Sequence, residues 1–321
     1  MRCYWKCLII LLLGVFCLFS FDNLCAQEKK MTKEEYEEAL RKWRADSIAH
    51  AKKQAELLAK KSEEDKENLA KRTFSKGNQF LRQGKYQQAL TAYDEAIKGH
   101  PTYSEAYRGR GIALKSLRRY DEAEESYKKA IELDSANVDA YFALGMLYRI
   151  REKNDEALAI YDLAIKKNPN WEKPYYEKAV IYEKMKEYNK AAGALRMATQ
   201  LKPDYYKAYY LLGRVLVADA KYDEAIVAFE NAIALKSNYH EAHWGVAHAQ
   251  NKKGDHKAAL EAAQAAIKIK PDYATALFEA GEACKKLGRI QDAVDYYEKA
   301  AKDRKWRKSA NYEIKMLTEK R

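Results

Sequence analysis

Proline and glycine are scarce in this 321-residue chain, at five and 13 residues. So few chain breakers cannot supply the many tight turns of an all-β fold, and they exclude collagenous sequence. Cysteine is scarcer than its count of five suggests, because Cys3, Cys7, Cys17 and Cys25 precede Gln27 and only Cys284 follows. One thiol cannot close an intramolecular disulfide, so packing must hold the rest of the chain. Long apolar runs are missing too: Cys7 to Phe21 is uncharged for fifteen residues, against about 20 for a membrane span. What is abundant is Ala, Leu, Glu, Lys and Tyr, with 33% charged and 47% hydrophobic residues. That balance predicts a folded, helical protein.

Residues 1–26 fit the template of a secretory signal. Arg2 and Lys6 give a positive start, Cys7 to Phe21 the apolar stretch, and Ala26 a small residue before a cut at Gln27. An acylated cysteine needs a small residue just before it, whereas Leu24 precedes Cys25 and Phe16 precedes Cys17. The expectation is an exported protein without a lipid anchor, periplasmic or secreted, from a Gram-negative bacterium. Removing the signal changes the net charge only from +12 to +11, and residues 27–69 contribute 11 basic and 11 acidic side chains. All the excess charge therefore falls in residues 70–321.

Those residues repeat. Gly77, Gly111, Gly145, Ala179, Gly213, Ala247 and Gly281 recur every 34 positions. Twelve residues beyond each stands alanine (Ala89, Ala123, Ala157, Ala191, Ala225, Ala259, Ala293), and seven further on a second alanine (Ala96, Ala130, Ala164, Ala198, Ala232, Ala266, Ala300). Between these two columns lie Tyr93, Tyr127, Tyr161, Leu195, Phe229, Ala263 and Tyr297. Pro101, Pro169, Pro203 and Pro271 close four of the units. Small residues let two helix backbones cross closely, and a neighbouring ring fills the space beside them. Gly84, Gly254 and Gly288 fall where a first helix must stop in left-handed conformation.

On these columns the chain resembles the tetratricopeptide repeat family. The resemblance implies an all-α fold: an α-α superhelix, or solenoid, of seven 34-residue helix-turn-helix repeats. The units are 70–103, 104–137, 138–171, 172–205, 206–239, 240–273 and 274–307. A charged helical leader (27–69) precedes them and a capping helix (308–321) closes the array, as such arrays require. Gln250, Ala263 and His243 depart from the pattern and predict looser packing in the sixth unit. Thr32 and Glu35 make a capping box at the start of the leader. Tyr36, Leu40 and Trp43 follow heptad spacing, which breaks and resumes at Ile48, Ala51, Ala55 and Leu58. Two broken runs fall short of a coiled coil, so a monomer is expected. Lys60 to Asn68 reads as a hinge or as exposed helix.

No phosphate-binding loop, nucleophile elbow or paired-cysteine zinc motif is present, and Gly109-Arg110-Gly111 falls inside a repeat helix. We therefore expect neither enzyme activity nor a cofactor. His240, His243 and His248 share a helix but do not converge, so a metal site is not expected; one buried and two exposed histidines are. Cys284 occupies a core column and should be an inert thiol.

The resemblance places one face of each first helix on the concave side of the superhelix. One column there is Phe74, Arg108, Phe142, Tyr176, Tyr210, Trp244 and Phe278. A turn later come Asn78, Met146, Val180, Arg214 and His248, and later still Arg149. Rings in the first column can cover their neighbours as well as bind. Phe142, Met146, Tyr176, Val180 and Tyr210 nonetheless read as an apolar strip flanked by Arg108, Arg149 and Arg214, the composition of a binding patch. The function expected is a non-enzymatic scaffold that holds a peptide or protein partner in this groove. Two alternatives stay open: an envelope carbohydrate binder using the aromatic column, and an oligomeric element assembled through the leader. Nucleic acid is not expected as a partner. The basic run Lys302, Arg304, Lys305, Arg307 and Lys308 could steer an anionic envelope component.

Overall fold

In the computed structural model, residues 32–319 are described, so the expected signal and its cut site lie outside the described residues. Of the described residues, those up to Leu69 form one unit and those from Ala70 onward another. Helix α1, Lys33–Arg82, begins in the first and supplies the opening helix of the second. Its start is the capping box expected: Thr32 N–H donates to Glu35 Oε2 at 2.7 Å, and Glu35 N–H to Thr32 Oγ1 at 3.4 Å. The Thr32 N–H and the Thr32 hydroxyl, both donating to Glu35 Oε2, hold its carboxyl below the usual range. The stretch 60–68 is helical throughout.

Within 70–321 the helices alternate strictly, and no strand occurs among the described residues. They are α2 (Tyr86–Gly99), α3 (Ser104–Ser116), α4 (Tyr120–Leu133), α5 (Val138–Ile150), α6 (Asn154–Lys167), α7 (Glu172–Lys184) and α8 (Tyr188–Leu201). After them come α9 (Tyr206–Ala218), α10 (Tyr222–Leu235), α11 (His240–Lys253), α12 (His256–Ile269), α13 (Ala274–Lys286), α14 (Ile290–Ala300) and α15 (Arg307–Thr318). Each packs chiefly on its neighbours in sequence, as a solenoid does.

The 34-residue columns become a row of identical seats. Both alanine columns are wholly buried at each crossing, and Tyr93, Tyr127, Tyr161, Leu195, Ala263 and Tyr297 are 0% exposed. Size is matched across each seat. A Cβ on Gly111 would come within 2.5 Å of the Tyr127 ring, and one on Gly145 as close to Tyr161. Where the ring gives way to Leu195 or Ala263, the facing residue is Ala179 or Ala247 instead of glycine. The Gly109-Arg110-Gly111 run has its reason here. Gly109 admits Tyr93 of the first unit and Gly111 admits Tyr127 of the second.

The seven first helices all end alike. The N–H of Lys85, Arg119, Lys153, Glu187, Lys221, Asp255 and Arg289 each reaches back five residues to a carbonyl, at 2.8–3.0 Å. The residue before each has positive φ. Glycine occupies it at Gly84, Gly254 and Gly288, as expected from sequence, but Arg118, Glu152, Lys186 and Ala220 adopt it as well. The turn is thus imposed by tertiary packing at four places where no glycine announces it, against a preference of roughly 1–2 kcal/mol per residue.

Candidate functional site

The first-helix column is built into the protein on one side and open on the other. Phe142 wedges between the core ring of its own unit, Tyr161, at 5.8 Å and Trp171 at 4.9 Å. Tyr210 does the same between Phe229 and Tyr239, and Phe278 between Tyr297 and Trp306. Phe74 sits between Tyr93 and Tyr103, while Tyr176 packs on Tyr205 at 5.2 Å. The unit-closing column Tyr103, Trp171, Tyr205, Tyr239 and Tyr273 went unnoticed in the sequence, although it too recurs every 34 residues or twice that. Lys202, Lys236 and Lys270 lie over three of those rings at 5.0–5.4 Å. All seven first-column side chains are half-buried. The rings therefore serve first as packing, with edges left for contact.

The polar residues of the groove divide into two sets. In the first, charges are answered within the protein. Arg149 Nε lies 3.0 Å from Glu177 Oε2 on α7, and Arg214 lies 2.9 Å from Glu183. Burial pushes the Glu177 carboxyl up, and Arg149 only partly offsets it. His248 Nδ1 meets Glu279 Oε1 at 2.7 Å, and Asn251 donates to the other carboxylate oxygen at 2.8 Å. Asn78 Oδ1 accepts the Tyr93 hydroxyl at 2.7 Å. In the second set, Arg108 Nε and the Tyr127 hydroxyl are buried without a hydrogen-bond partner, while the Tyr161 hydroxyl has the Arg149 side chain beside it. Burial raises the pKa of these phenols and keeps them neutral, with Tyr93 and Tyr210 also pushed up to about 12.

Met146 and Val180 are half-buried, so the strip of Phe142, Met146, Tyr176, Val180 and Tyr210 is less open than its composition suggested. Val180 packs against the core of the fourth and fifth units. Beside it opens a cavity of about 490 Å³ lined by Arg149, Val180, Ile181, Glu183, Arg214 and Ala218.

The histidine cluster differs from expectation. His240, His243 and His248 are all half-buried, and His243 Nε2–H donates to Ser237 O, 3.0 Å away. Trp244 stacks on His248 at 5.7 Å, beside the place that Ala263 leaves without a ring. Among the described residues no group of three metal-ligating side chains converges. Cys284 is fully buried and free, and burial pushes its thiol up.

Comparison with known proteins decides the family. The tetratricopeptide repeat profile matches residues 74–137, 110–170, 176–240, 210–274 and 247–310. The chain belongs to the tetratricopeptide repeat family. No curated protein sequence matches it. Among solved structures it is similar to YrrB, described as "a TPR protein with an unusual peptide-binding site". That likeness has 25% identity and a TM-score of 0.51 over 58% of this chain and 96% of YrrB. A repeat protein fragment from Cytophaga hutchinsonii gives 16% identity and a TM-score of 0.64 over 75% of this chain and 99% of its own. A tetratricopeptide repeat protein from Parabacteroides merdae gives 16% and 0.54 over 78% and 99%. The last two share the fold alone.

Proposed function

We propose that this protein is a non-enzymatic scaffold that holds an extended peptide segment of a partner protein on its first-helix face. The reading rests chiefly on the cavity at the fourth repeat. It lies on the face that is concave in this family, next to half-buried Met146 and Val180, and has the size to take one or two side chains. The peptide-binding description of YrrB, which covers over half of this chain, supports the same class of ligand. Sugar stacking is less well served, since the column rings have their faces packed against other rings or covered by arginine, as Tyr210 is by Arg214. We further propose export to a bacterial periplasm, on the signal-like residues 1–26, and a monomeric array.

Selection of random dodecapeptides against the protein tests the binding reading. The expected result is a family of sequences whose binding slows amide exchange in α5, α7 and α9. Protection confined to second helices, or no enriched peptide, would overturn it.

A further inference from the structure

The seventh repeat closes on a turn unlike the other six. Its residues 302–308 include Lys302, Arg304, Lys305, Arg307 and Lys308. The equivalent stretches 98–104, 132–138, 166–172, 200–206, 234–240 and 268–274 hold at most two lysines or arginines each. Five positive charges less that of Asp303 leave +4, over a third of the +11 in residues 70–321. The turn itself does not need them. Asp303 Oδ1 accepts the Lys305 N–H at 2.8 Å, and the Asp303 carbonyl accepts the Arg307 N–H at 2.9 Å. Trp306 packs on Phe278 at 4.6 Å, much as Tyr239 packs on Tyr210. The charges are additions to a turn already made.

None of the five is neutralised. All are exposed, and among the described residues none forms an ion pair; Arg307 Nε reaches only the Ala301 carbonyl, at 3.2 Å. Elsewhere in the array exposed cations find carboxylates, as Arg119 finds Glu122, Arg196 Glu224 and Lys253 Asp223. The patch continues along α15, where Lys308, Tyr312 and Lys315 share one face. Lys315 meets Glu319 at 3.6 Å, a pair too exposed to be worth much. The other face of α15 is spent on packing: Ala310 is 0% exposed, and Ile314 and Leu317 lie against the core of the last repeats. Helix α15 stands where an eighth first helix would. Lys315 continues the glycine column, in which Gly281 admits the Tyr297 ring, and Tyr312 continues the column of Phe278. No second helix follows among the described residues, so the Tyr312 ring is left 60% exposed amid lysines.

We propose that the 302–308 turn and the outer face of α15 dock on an anionic phospholipid bilayer, the cations meeting headgroup phosphates and the Tyr312 ring entering the interface. Charge complementarity selects the partner, since five unpaired cations repel one another until a dense sheet of anions faces them. The ring favours a bilayer over a soluble polyanion, because an interface takes up an apolar body with a polar tip and a hydrated chain does not. This surface uses none of the groove residues from Phe74 to Phe278 and does not depend on the peptide reading.

The test is cosedimentation of the full chain with vesicles of equal parts phosphatidylglycerol and phosphatidylcholine, against phosphatidylcholine alone. Any lipid contact of the uncharged stretch Cys7 to Phe21 is common to every variant. Wild type should prefer the anionic vesicles and lose that preference at about 1 M salt, where charge is screened within about 3 Å. Arg304→Gln with Lys305→Gln should weaken anionic-vesicle binding at least about tenfold, since each cation at such a surface is worth about fivefold. Both side chains are exposed, so the melting temperature should not move. Lys166→Gln with Lys167→Gln, the same charge change in the turn after the third repeat, should weaken binding by under about twofold, because the attraction fades within a Debye length of the membrane. Tyr312→Gln should lose about threefold on vesicles, the order of one ring partly entering the interface. No preference for anionic vesicles, or equal losses in the two double variants, would overturn the docking surface. An unchanged Tyr312→Gln, with soluble polyphosphate bound as tightly as vesicles, would assign the patch to a polyanion chain and overturn the bilayer.

Discussion

The first and second repeats share the residues of their helix crossing and differ in what they leave unfinished. Gly77, Ala89, Tyr93 and Ala96 correspond to Gly111, Ala123, Tyr127 and Ala130, and all four positions are buried in both. Yet Tyr93 has its acceptor in Asn78, while Tyr127 has none and sits beside an arginine that also has none. Repetition therefore fixes the backbone and the apolar core, and the single positions that escape it carry the chemistry.

The largest expected effect tests the shared part. Ala198→Glu forces a charge into a crossing that is 0% exposed, at a cost above about 4 kcal/mol. Circular dichroism should show the fourth repeat melting separately or the whole array failing to fold. Next comes the seat itself. Gly111→Ala should cost about 1–3 kcal/mol, because its Cβ meets the Tyr127 ring and the core is overpacked. Adding Tyr127→Leu should return part of that loss in chemical denaturation, as the natural Ala179–Leu195 pair suggests. Strict additivity of the two substitutions would contradict size matching.

Two smaller effects sharpen the contrast. Tyr93→Phe strands Asn78 and should destabilise by about 1 kcal/mol, whereas Tyr127→Phe removes an orphan and should leave stability equal or raise it by about 1 kcal/mol. Opposite signs for one chemical change in equivalent seats would be direct support, and equal signs would break the comparison. Smallest of all, Ala220→Gly should raise the melting free energy by about 0.5 kcal/mol, since Ala220 holds φ 57 in a region that only glycine enters without strain.

Much of this was legible because repetition amplifies weak signals. A single alanine says little, but seven alanines at one spacing mark a helix crossing. Gly84, Gly254 and Gly288 likewise announced three helix stops. The other four stops were silent, because Arg118, Glu152, Lys186 and Ala220 are driven into the left-handed region by packing and not by their own preference. The site was less legible for the same reason. The column from Phe74 to Phe278 is visible by spacing, but whether a ring is open or wedged depends on Trp171 or Tyr239 from the end of the unit. Asn78 and Met146 stood in one column as equivalent groove residues, and nothing in the sequence showed that one satisfies a buried phenol and the other abandons it.

The central claim, that the first-helix face of the middle repeats binds a peptide, is tested most directly by Met146→Glu combined with Val180→Glu. Both residues are half-buried, so the pair should cost about 1 kcal/mol of stability and leave the array folded at room temperature. The account predicts that affinity for the selected dodecapeptides falls at least about thirtyfold, the scale of a lost central contact. Binding as tight as that of the wild type, by a protein with unchanged helix content, would contradict it.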